Sequence, residues 1–207
     1  RDVERSRGLG DVYKRQHAKR EMALDALAVM AHWGHARFQV LAHDRGARVA
    51  HRLAADHPDA VERLMLLDVA PTLGMYEGTT EAFARAYWHW FFLIQPAPLP
   101  ERLIESDPQG YLRGVMGKRH AGMSAFAPEA LAEYLRCLSI PGSAASLCED
   151  YRASAGIDLA HDRADVAAGL KLAQPLRVLW GEHGAVGRCF DVLALWRERA
   201  ESVAGQS

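Results

Sequence analysis

The pentapeptide Ala42-His43-Asp44-Arg45-Gly46 has the residue types and spacing of a nucleophile elbow, a tight turn between a strand and a helix. The small residues Ala42 and Gly46 allow this turn to pack closely, and the N-terminus of the following helix favours negative charge. A carboxylate nucleophile suits displacement at an alkyl carbon, which gives an ester that water cleaves later. Asp44 is therefore a candidate nucleophile. The alternative is that it only caps the helix that begins near Arg45.

Three further charged residues accompany this turn. Arg45 and Arg48 stand three positions apart at the start of a helix, so both guanidinium groups could bind one carboxylate above Asp44. For either arginine alone, a solvated helix face would be the favoured interpretation. Asp68 ends the next apolar run and suits the third member of a triad, which orients a histidine; the alternative is a turn aspartate before Pro71.

The elements that must position these residues alternate between short apolar runs and helical periods. Runs over 38–42, 61–67 and 176–180 predict strands, and helices are predicted over 17–33, from about residue 45 to 57, and over 189–199. This order indicates an α/β fold with a parallel sheet, built from residues 17–72 and 175–207. Residues 73–174 contain no such run and are expected to form a helical cap over the carboxyl ends of the strands.

Composition favours a small-molecule partner. The chain has 25 lysines and arginines against 26 acidic residues, which leaves no surplus positive charge for a nucleic acid or an anionic membrane. Its three cysteines, widely spaced, suggest neither a disulfide framework nor a zinc site. There is no apolar stretch of membrane-spanning length and no signal-peptide core, so a cytoplasmic location is expected. A metal site is not expected either.

The motifs as a set resemble those of the haloacetate (fluoroacetate) dehalogenases, a family of the α/β-hydrolase superfamily. The resemblance rests on the elbow and its helix, Ala42 to Leu53, on Leu67 to Thr72 and on Tyr87 to Trp90, and it extends over nearly everything from residue 17 onward. It implies an α/β-hydrolase fold without a cofactor, and hydrolysis of a haloacetate to glycolate and halide through an aspartyl ester. A homodimer is a possibility.

The resemblance also implies roles for individual residues. Asp44 would attack the carbon that bears the halogen, with Asp68 in the triad, and Arg45 and Arg48 would bind the substrate carboxylate. Hydrogen bonds to the departing halide would come from His89, Trp90 and Tyr151, because a poor leaving group needs donors aimed at its developing charge. His89 on its own would more often be a core histidine.

Other functions remain open from the sequence. Epoxide hydrolases share the elbow, but they usually have tryptophan where Arg45 stands and use two cap tyrosines. An epoxide hydrolase or an esterase of the same fold is therefore an alternative, since the fold alone does not fix the chemistry. A non-catalytic protein that binds carboxylates through Arg45 and Arg48 is a third possibility.

Both ends of the sequence depart from the family pattern. Residues 1–16 lack sustained periodicity and are expected to be non-native or disordered. No strands precede residue 17, and the family pattern places a Gly-His pair within about ten residues beyond Ser207. We therefore expect a fragment of poor solubility without an assigned general base, in which Asp44 is alkylated once. Sustained turnover would make His183 the first suspect for the base.

Overall fold

The computed structural model of the chain describes residues 16–117 and 122–207. The predicted non-native segment, residues 1–16, lies almost wholly outside them. The described residues divide into two compact units. The first, called the sheet unit below, comprises the residues up to Ala86 together with Ala153–Ser207. The second, called the helical unit, comprises Tyr87–Arg152.

The sheet unit contains a parallel sheet of four strands in the order β1-β2-β3-β4. The strands are β1 (Phe38–His43), β2 (Val61–Leu67), β3 (Leu176–Leu179) and β4 (Val203–Gln206). The first three are the predicted strands to within a residue, whereas β4 was missed because Val203-Ala204-Gly205-Gln206 has no apolar run. Pairing with β3 is close there: a Cβ on Gly205 would lie 2.4 Å from the carbonyl oxygen of Val178.

Seven helices are described in this unit. They are α1 (Lys19–His32), α2 (Asp44–Asp56), α3 (Thr72–Glu77), α4 (Glu81–Ala86), α10 (Ile157–Ala167), α11 (Ala185–Cys189) and α12 (Val192–Arg197). The core lies between the sheet and these helices: Leu64, Leu66 and Val178 of the central strands are buried with the alanine-rich face of α2.

The prediction of one helix over 189–199 is wrong. α11 ends at Cys189, Phe190 is extended at φ −138° and ψ 144°, and α12 starts only at Val192. The Asp191 side chain accepts a hydrogen bond from the Ala194 amide, which makes it the N-cap of α12. The ring of Phe190 packs edge to face against Phe83, with centroids 4.9 Å apart.

In the described part of the helical unit, 87–117 and 122–152, there are five α-helices and one 3₁₀ helix. They are α5 (Trp88–Leu93), α6 (Leu99–Ser106), α7 (Pro108–Met116), the 3₁₀ helix (Gly122–Ala125), α8 (Pro128–Leu138) and α9 (Ser143–Ala155), the last ending in the sheet unit. It is narrower than the predicted insertion of residues 73–174, because α3, α4 and α10 belong to the sheet unit. Among residues 16–117 and 122–207, no helix combines the length and apolar character needed to cross a membrane.

Candidate active site

The carboxyl ends of the strands meet at one edge of the sheet. His43 of β1 pairs with Leu67 of β2, and Leu67 pairs with Leu179 of β3. In a parallel sheet this register places the residues that follow each strand side by side. Asp44 and Asp68 each come directly after a strand, and Gly181 comes two residues after β3. The structure therefore brings the two predicted catalytic aspartates to the same edge.

Asp44 occupies a strained turn. Its φ is 50°, in the left-handed region that few residues other than glycine adopt. It is the first residue of α2 and is exposed, while the preceding extended residue, His43, is the N-cap and makes no side-chain cap bond. The capping alternative for Asp44 is therefore not what the structure shows. A carboxylate held on a strained backbone at a helix N-terminus is the geometry of a presented nucleophile.

The two arginines of α2 differ in their surroundings. Arg48 is buried and donates from Nη1 to Thr72 Oγ1 at 2.8 Å and to the Ala70 carbonyl at 3.4 Å. Its guanidinium group thus lies against the loop that follows Asp68. Arg45 is half-buried and keeps its Nη2 atom inside the protein. Both arginines lie within a turn of Asp44 on the same helix.

Asp68 is held by the β3 side of the sheet. Its φ is 54°, its amide donates to the Leu179 carbonyl at 2.7 Å, and its Oδ1 accepts a hydrogen bond from the Gly181 amide at 3.3 Å. A Cβ at Gly184 would lie 3.0 Å from the Gly181 carbonyl oxygen and 3.3 Å from Asp68 Oδ1, so the loop passes close to this carboxylate. The loop 181–184, which contains the exposed His183, therefore lies beside Asp68.

Trp196 of α12 supports the segment after Asp68, a role that sequence reasoning missed. Its indole Nε1 donates to the Val69 carbonyl at 2.9 Å, and its ring packs against His51 of α2 at 5.1 Å, edge to face. Burial lowers the pKa of His51, so this imidazole is neutral at pH 7. The sequence places this tryptophan on the apolar face of a helix, and the indole N–H of a buried tryptophan needs a hydrogen-bond partner. That combination could have indicated the role of Trp196.

The three predicted halide-binding residues all lie in the helical unit, within one aromatic cluster. His89 stacks on Tyr87 with ring centroids 5.5 Å apart, and its ring is 5.9 Å from that of Tyr151, edge to face. Trp90 meets Tyr87 at 5.5 Å. Trp90 and Tyr151 are 5% and 8% exposed, so their polar tips sit in a largely dehydrated cluster. Tyr87 thus contacts His89 and Trp90, and His89 contacts Tyr151.

Arg152 anchors the helix that carries Tyr151, and sequence reasoning gave it no role. It forms ion pairs with Glu101 at 2.6 Å and Glu149 at 2.8 Å, and it donates to the Gln95 carbonyl, just after α5, at 2.6 and 3.0 Å. The salt bridges and hydrogen bonds hold the pKa of the Glu101 carboxyl below its usual value despite its burial. α9 and the end of α5 are thereby fixed to each other.

The chemistry that these residues can perform is nucleophilic, with no metal required by their types. Among residues 16–117 and 122–207, no group of three histidine, cysteine or acidic side chains is placed to hold a metal ion. The sheet unit supplies a presented carboxylate with two adjacent guanidinium groups. The helical unit supplies the N–H and O–H donors of His89, Trp90 and Tyr151.

Comparison with known proteins finds relatives that belong to one superfamily. No protein-family model matches the chain. A fluoroacetate dehalogenase from a Burkholderia species is 40% identical over 181 residues, which is 87% of this chain and 59% of the dehalogenase. A soluble epoxide hydrolase from Corynebacterium sp. strain C12 is 34% identical over 206 residues, or 96% of this chain and 69% of the hydrolase.

Solved structures place the fold in the same group. A proposed α/β hydrolase from Nostoc sp. PCC 7120 superposes with a TM-score of 0.86 at 55% identity, covering 94% of this chain and 66% of the other. A proposed epoxide hydrolase from Pseudomonas aeruginosa gives a TM-score of 0.85 at 40% identity, covering 92% and 64%. The chain thus spans about three fifths to two thirds of the length of most of these relatives. It belongs to the α/β-hydrolase superfamily, in the group that contains fluoroacetate dehalogenase and soluble epoxide hydrolase.

Proposed function

We propose that the protein hydrolyses the carbon–halogen bond of a haloacetate through an ester of Asp44. The observation that carries this proposal is the strained Asp44 at φ 50° with Arg45 and Arg48 on the helix that it begins. A carboxylate nucleophile beside two guanidinium groups suits a substrate that has its own carboxylate next to an electrophilic carbon. The dehalogenase relative, 40% identical, supports the same substrate class.

The first chemical step is a displacement. An Asp44 oxygen attacks the carbon that bears the halogen, a carbon–oxygen bond forms, and the halide departs with the electron pair of the broken bond. Arg45 and Arg48 hold the substrate carboxylate so that this carbon faces Asp44, which lowers the entropic cost of the attack. The family resemblance implies that His89, Trp90 and Tyr151 would donate hydrogen bonds to the halide as its charge develops.

The second step hydrolyses the ester. Water attacks the carbonyl carbon of the Asp44 ester while a base accepts its proton, the ester bond breaks, and glycolate leaves with the Asp44 carboxylate restored. Asp68 is suited to orient a histidine base and to stabilise its charged form. His183 belongs to the loop whose Gly181 amide donates to Asp68 Oδ1, which makes it the histidine of the sheet unit to test first.

Halide release tests the proposal directly. The protein expressed from its complete reading frame is mixed with fluoroacetate and chloroacetate, and halide is followed with an ion-selective electrode. We expect continuing release; folded protein that gives only the blank rate with both substrates would contradict the proposal. The 207-residue chain is treated in parallel and analysed by mass spectrometry for a carboxymethyl ester on the Asp44 peptide. Continuing turnover in this chain, lost in His183→Gln, would assign the base to His183.

A second candidate function is epoxide hydrolysis, which two observations favour. The Corynebacterium epoxide hydrolase is 34% identical over nearly the whole chain. In the helical unit, Tyr151 lies close enough to Tyr111 to contribute, after burial, to the raised pKa of the Tyr111 hydroxyl. Two tyrosine hydroxyls are the donors that the family resemblance implies for activating an epoxide.

A direct competition separates the two candidates. The same preparation is given chloroacetate, a carboxylate-free epoxide such as styrene oxide, and a nitrophenyl ester, and kcat/KM is compared. We expect chloroacetate to be preferred by at least about tenfold, since a neutral epoxide leaves the two arginines without an anion. A preference for styrene oxide that survives in Arg48→Met would favour the epoxide hydrolase.

A further inference from the structure

Thr72, the first residue of α3, has a hydroxyl that bonds to a different helix. Thr72 is 6% exposed, and the N-cap of α3 is Pro71. The Thr72 Oγ1 atom accepts a hydrogen bond from Arg48 Nη1 of α2 at 2.8 Å, across 24 positions of sequence. The usual role of a threonine at a helix start, which is to satisfy an amide of the first turn, therefore does not explain this hydroxyl.

The Arg48 guanidinium group meets two further acceptors of the same segment. Its Nη1 also donates to the Ala70 carbonyl at 3.4 Å, and its Nη2 lies 3.4 Å from the Sδ atom of Met75. Thr72 and Met75 stand three positions apart on α3, so their side chains share one face of that helix. The contact with Ala70 is long for an N–H···O bond, and a thioether sulfur is a weak acceptor. Thr72 therefore supplies the strongest of these three contacts.

The three contacts of Arg48 differ in kind from those of Arg52, one turn further along α2. Arg52 is buried among carboxylates and forms ion pairs with Asp56, Asp162 and Asp165. Such partners neutralise a guanidinium group as well as orient it. A hydroxyl, a carbonyl and a thioether also orient the group, but none of them cancels its positive charge.

We propose that Thr72 is a positioning residue for the substrate carboxylate: its hydroxyl sets the orientation in which the Arg48 guanidinium group meets the anion, without cancelling the positive charge. This inference rests on the proposed function for the role of Arg48 and for the identity of the anion. Arg48 touches the carboxylate, whereas Thr72 acts only through Arg48. Because a two-point contact with a carboxylate depends on the plane of the guanidinium group, a rotation of Arg48 weakens binding without changing the nucleophile.

The test uses matched variants of the complete protein. Thr72→Val replaces the hydroxyl by a methyl group of nearly the same shape, Thr72→Ser keeps the hydroxyl, and Thr79→Val is the control. The Thr79 hydroxyl, just after α3, donates to the backbone carbonyls of Tyr76 at 2.8 Å and Met75 at 3.3 Å. The control therefore loses the same atoms without losing a contact to Arg48. Steady-state kinetics with chloroacetate and the unfolding temperature are measured for each.

We expect Thr72→Val to raise the KM for chloroacetate about tenfold with a smaller change in kcat, since a hydrogen bond to a charged group contributes about one factor of ten. Thr72→Ser should restore most of the loss, and Thr79→Val should match the wild type. An unchanged KM in Thr72→Val, or a loss that Thr72→Ser does not restore, would overturn the proposal. If Thr72→Val does not fold, Thr72→Ala replaces it, because alanine is the better helix former.

The orientation of Arg48 can be observed without turnover. Its side-chain N–H signals in ¹⁵N-edited NMR spectra are assigned by their loss in Arg48→Met. We expect these hydrogens to exchange with water faster in Thr72→Val than in the wild type, and at the wild-type rate in Thr79→Val. An unchanged rate in Thr72→Val would show that Ala70 and Met75 hold the group without Thr72, and would overturn the proposal.

Thr72→Asp tests the uncharged character of the acceptor. A carboxylate at this position would pair with Arg48, so the guanidinium group stays anchored while its positive charge is cancelled. We expect acetate binding, measured by isothermal titration calorimetry, to be weaker in Thr72→Asp than in Thr72→Val. Acetate affinity equal to that of the wild type in Thr72→Asp would contradict the requirement for a neutral acceptor.

The same calorimetry distinguishes failure of this inference from failure of the proposed function. Acetate binding about tenfold weaker in Thr72→Val than in the wild type would support the role of Thr72 even if no haloacetate is hydrolysed. Equal acetate affinity in the two proteins, with active dehalogenation, would overturn the inference and leave the proposed function intact. A folded wild type that neither binds acetate nor releases halide would overturn both.

Discussion

The two units hold their polar groups by different means. In the sheet unit, Asp44 and Asp68 both have φ values in the left-handed region and directly follow strands, so the backbone fixes where they lie. In the helical unit, His89, Trp90 and Tyr151 lie on two helices far apart in sequence, and ring contacts and the Arg152 ion pairs bring them together. Position is set by main-chain geometry in one unit and by side-chain packing in the other.

This difference predicts how each unit responds to change. The backbone hydrogen bonds of the sheet fix the position of a strand end, so a side chain there can be substituted without moving its neighbours. A cluster of side chains depends on each member, and removal of one anchor loosens the rest. A substitution at a strand end of the sheet unit should therefore be able to abolish the reaction without lowering stability. A substitution in the aromatic cluster of the helical unit should lower activity and stability together.

The largest expected effect comes from Asp44→Asn. Asparagine is among the few residues that tolerate a positive φ, so the turn is kept while the nucleophile is removed. We expect halide release to fall at least about a thousandfold, with the free energy of unfolding changed by less than about 1 kcal/mol. Halide kinetics and urea denaturation measure the two quantities. Retained turnover, or a large loss of stability, would contradict the idea that the backbone holds this site.

The next effect tests what stabilises the sheet unit. Arg52 is 3% exposed and pairs with Asp56 at 3.0 Å, Asp162 at 3.1 Å and Asp165, which joins α2 to α10. Arg52→Met should lower the free energy of unfolding by about 3 kcal/mol, because it removes the cation from the buried Asp162 and the partly buried Asp165, while Asp56 keeps its ion pair with Arg20.

A surface pair of the same unit provides the control for Arg52. Arg85 and Glu81 are paired at 2.8 Å with both side chains more than three quarters exposed. Arg85→Met should therefore cost less than about 1 kcal/mol. If both substitutions have the same effect on urea unfolding, the buried network is not what joins α2 to α10.

Arg152→Met makes the corresponding test in the helical unit. Its side chain is 12% exposed and its partner Glu101 is 11% exposed, so we expect a loss of about 2–3 kcal/mol. Hydrogen exchange followed by mass spectrometry should show faster exchange in peptides from 87–152 and unchanged exchange in the strands. In the matched variant Arg136→Met, the exposed pair with Glu133 is lost and exchange should stay as in wild type. Faster hydrogen exchange in both units would contradict the proposed difference between how the two units hold their polar groups.

The same contrast explains what the sequence could predict. The strand ends at which Asp44 and Asp68 lie were predictable because apolar runs mark strands and polar residues mark their ends, whereas the catalytic roles of the two aspartates remain predictions. Strand β4 was not predictable, because Val203 to Gln206 forms a strand through its pairing with β3 and not because of its own composition. The break at Phe190 and the role of Trp196 depend on contacts with residues distant in sequence, and so do the contacts of Arg152 with Gln95 and Glu101. No local pattern encodes such contacts.

The smallest expected effect concerns acid stability of the sheet unit. His51 of α2 is 8% exposed and packs on Trp196, and burial is the main cause of its lowered pKa. The nearby charge of Asp162 opposes this shift and that of Arg52 adds to it. An unfolded chain therefore takes up a proton at this histidine below pH about 6.5, while the folded protein does so only at lower pH.

The contribution of His51 to stability is accordingly complete above pH about 6.5 and is lost as the pH falls further, by about 1 kcal/mol per pH unit. His51→Gln should lose this slope, so the difference in unfolding free energy between wild type and variant should shrink between pH 7 and 5.5. His32→Gln, on the exposed end of α1, is the control and should retain the wild-type slope. Because burial also raises the pKa of Asp158 and lowers that of His161, the part of the slope that His51→Gln loses, and His32→Gln keeps, is what belongs to His51. An unchanged slope in His51→Gln would show that water reaches the imidazole beside Trp196, and that the packing which supports the loop after Asp68 is looser than the contacts indicate.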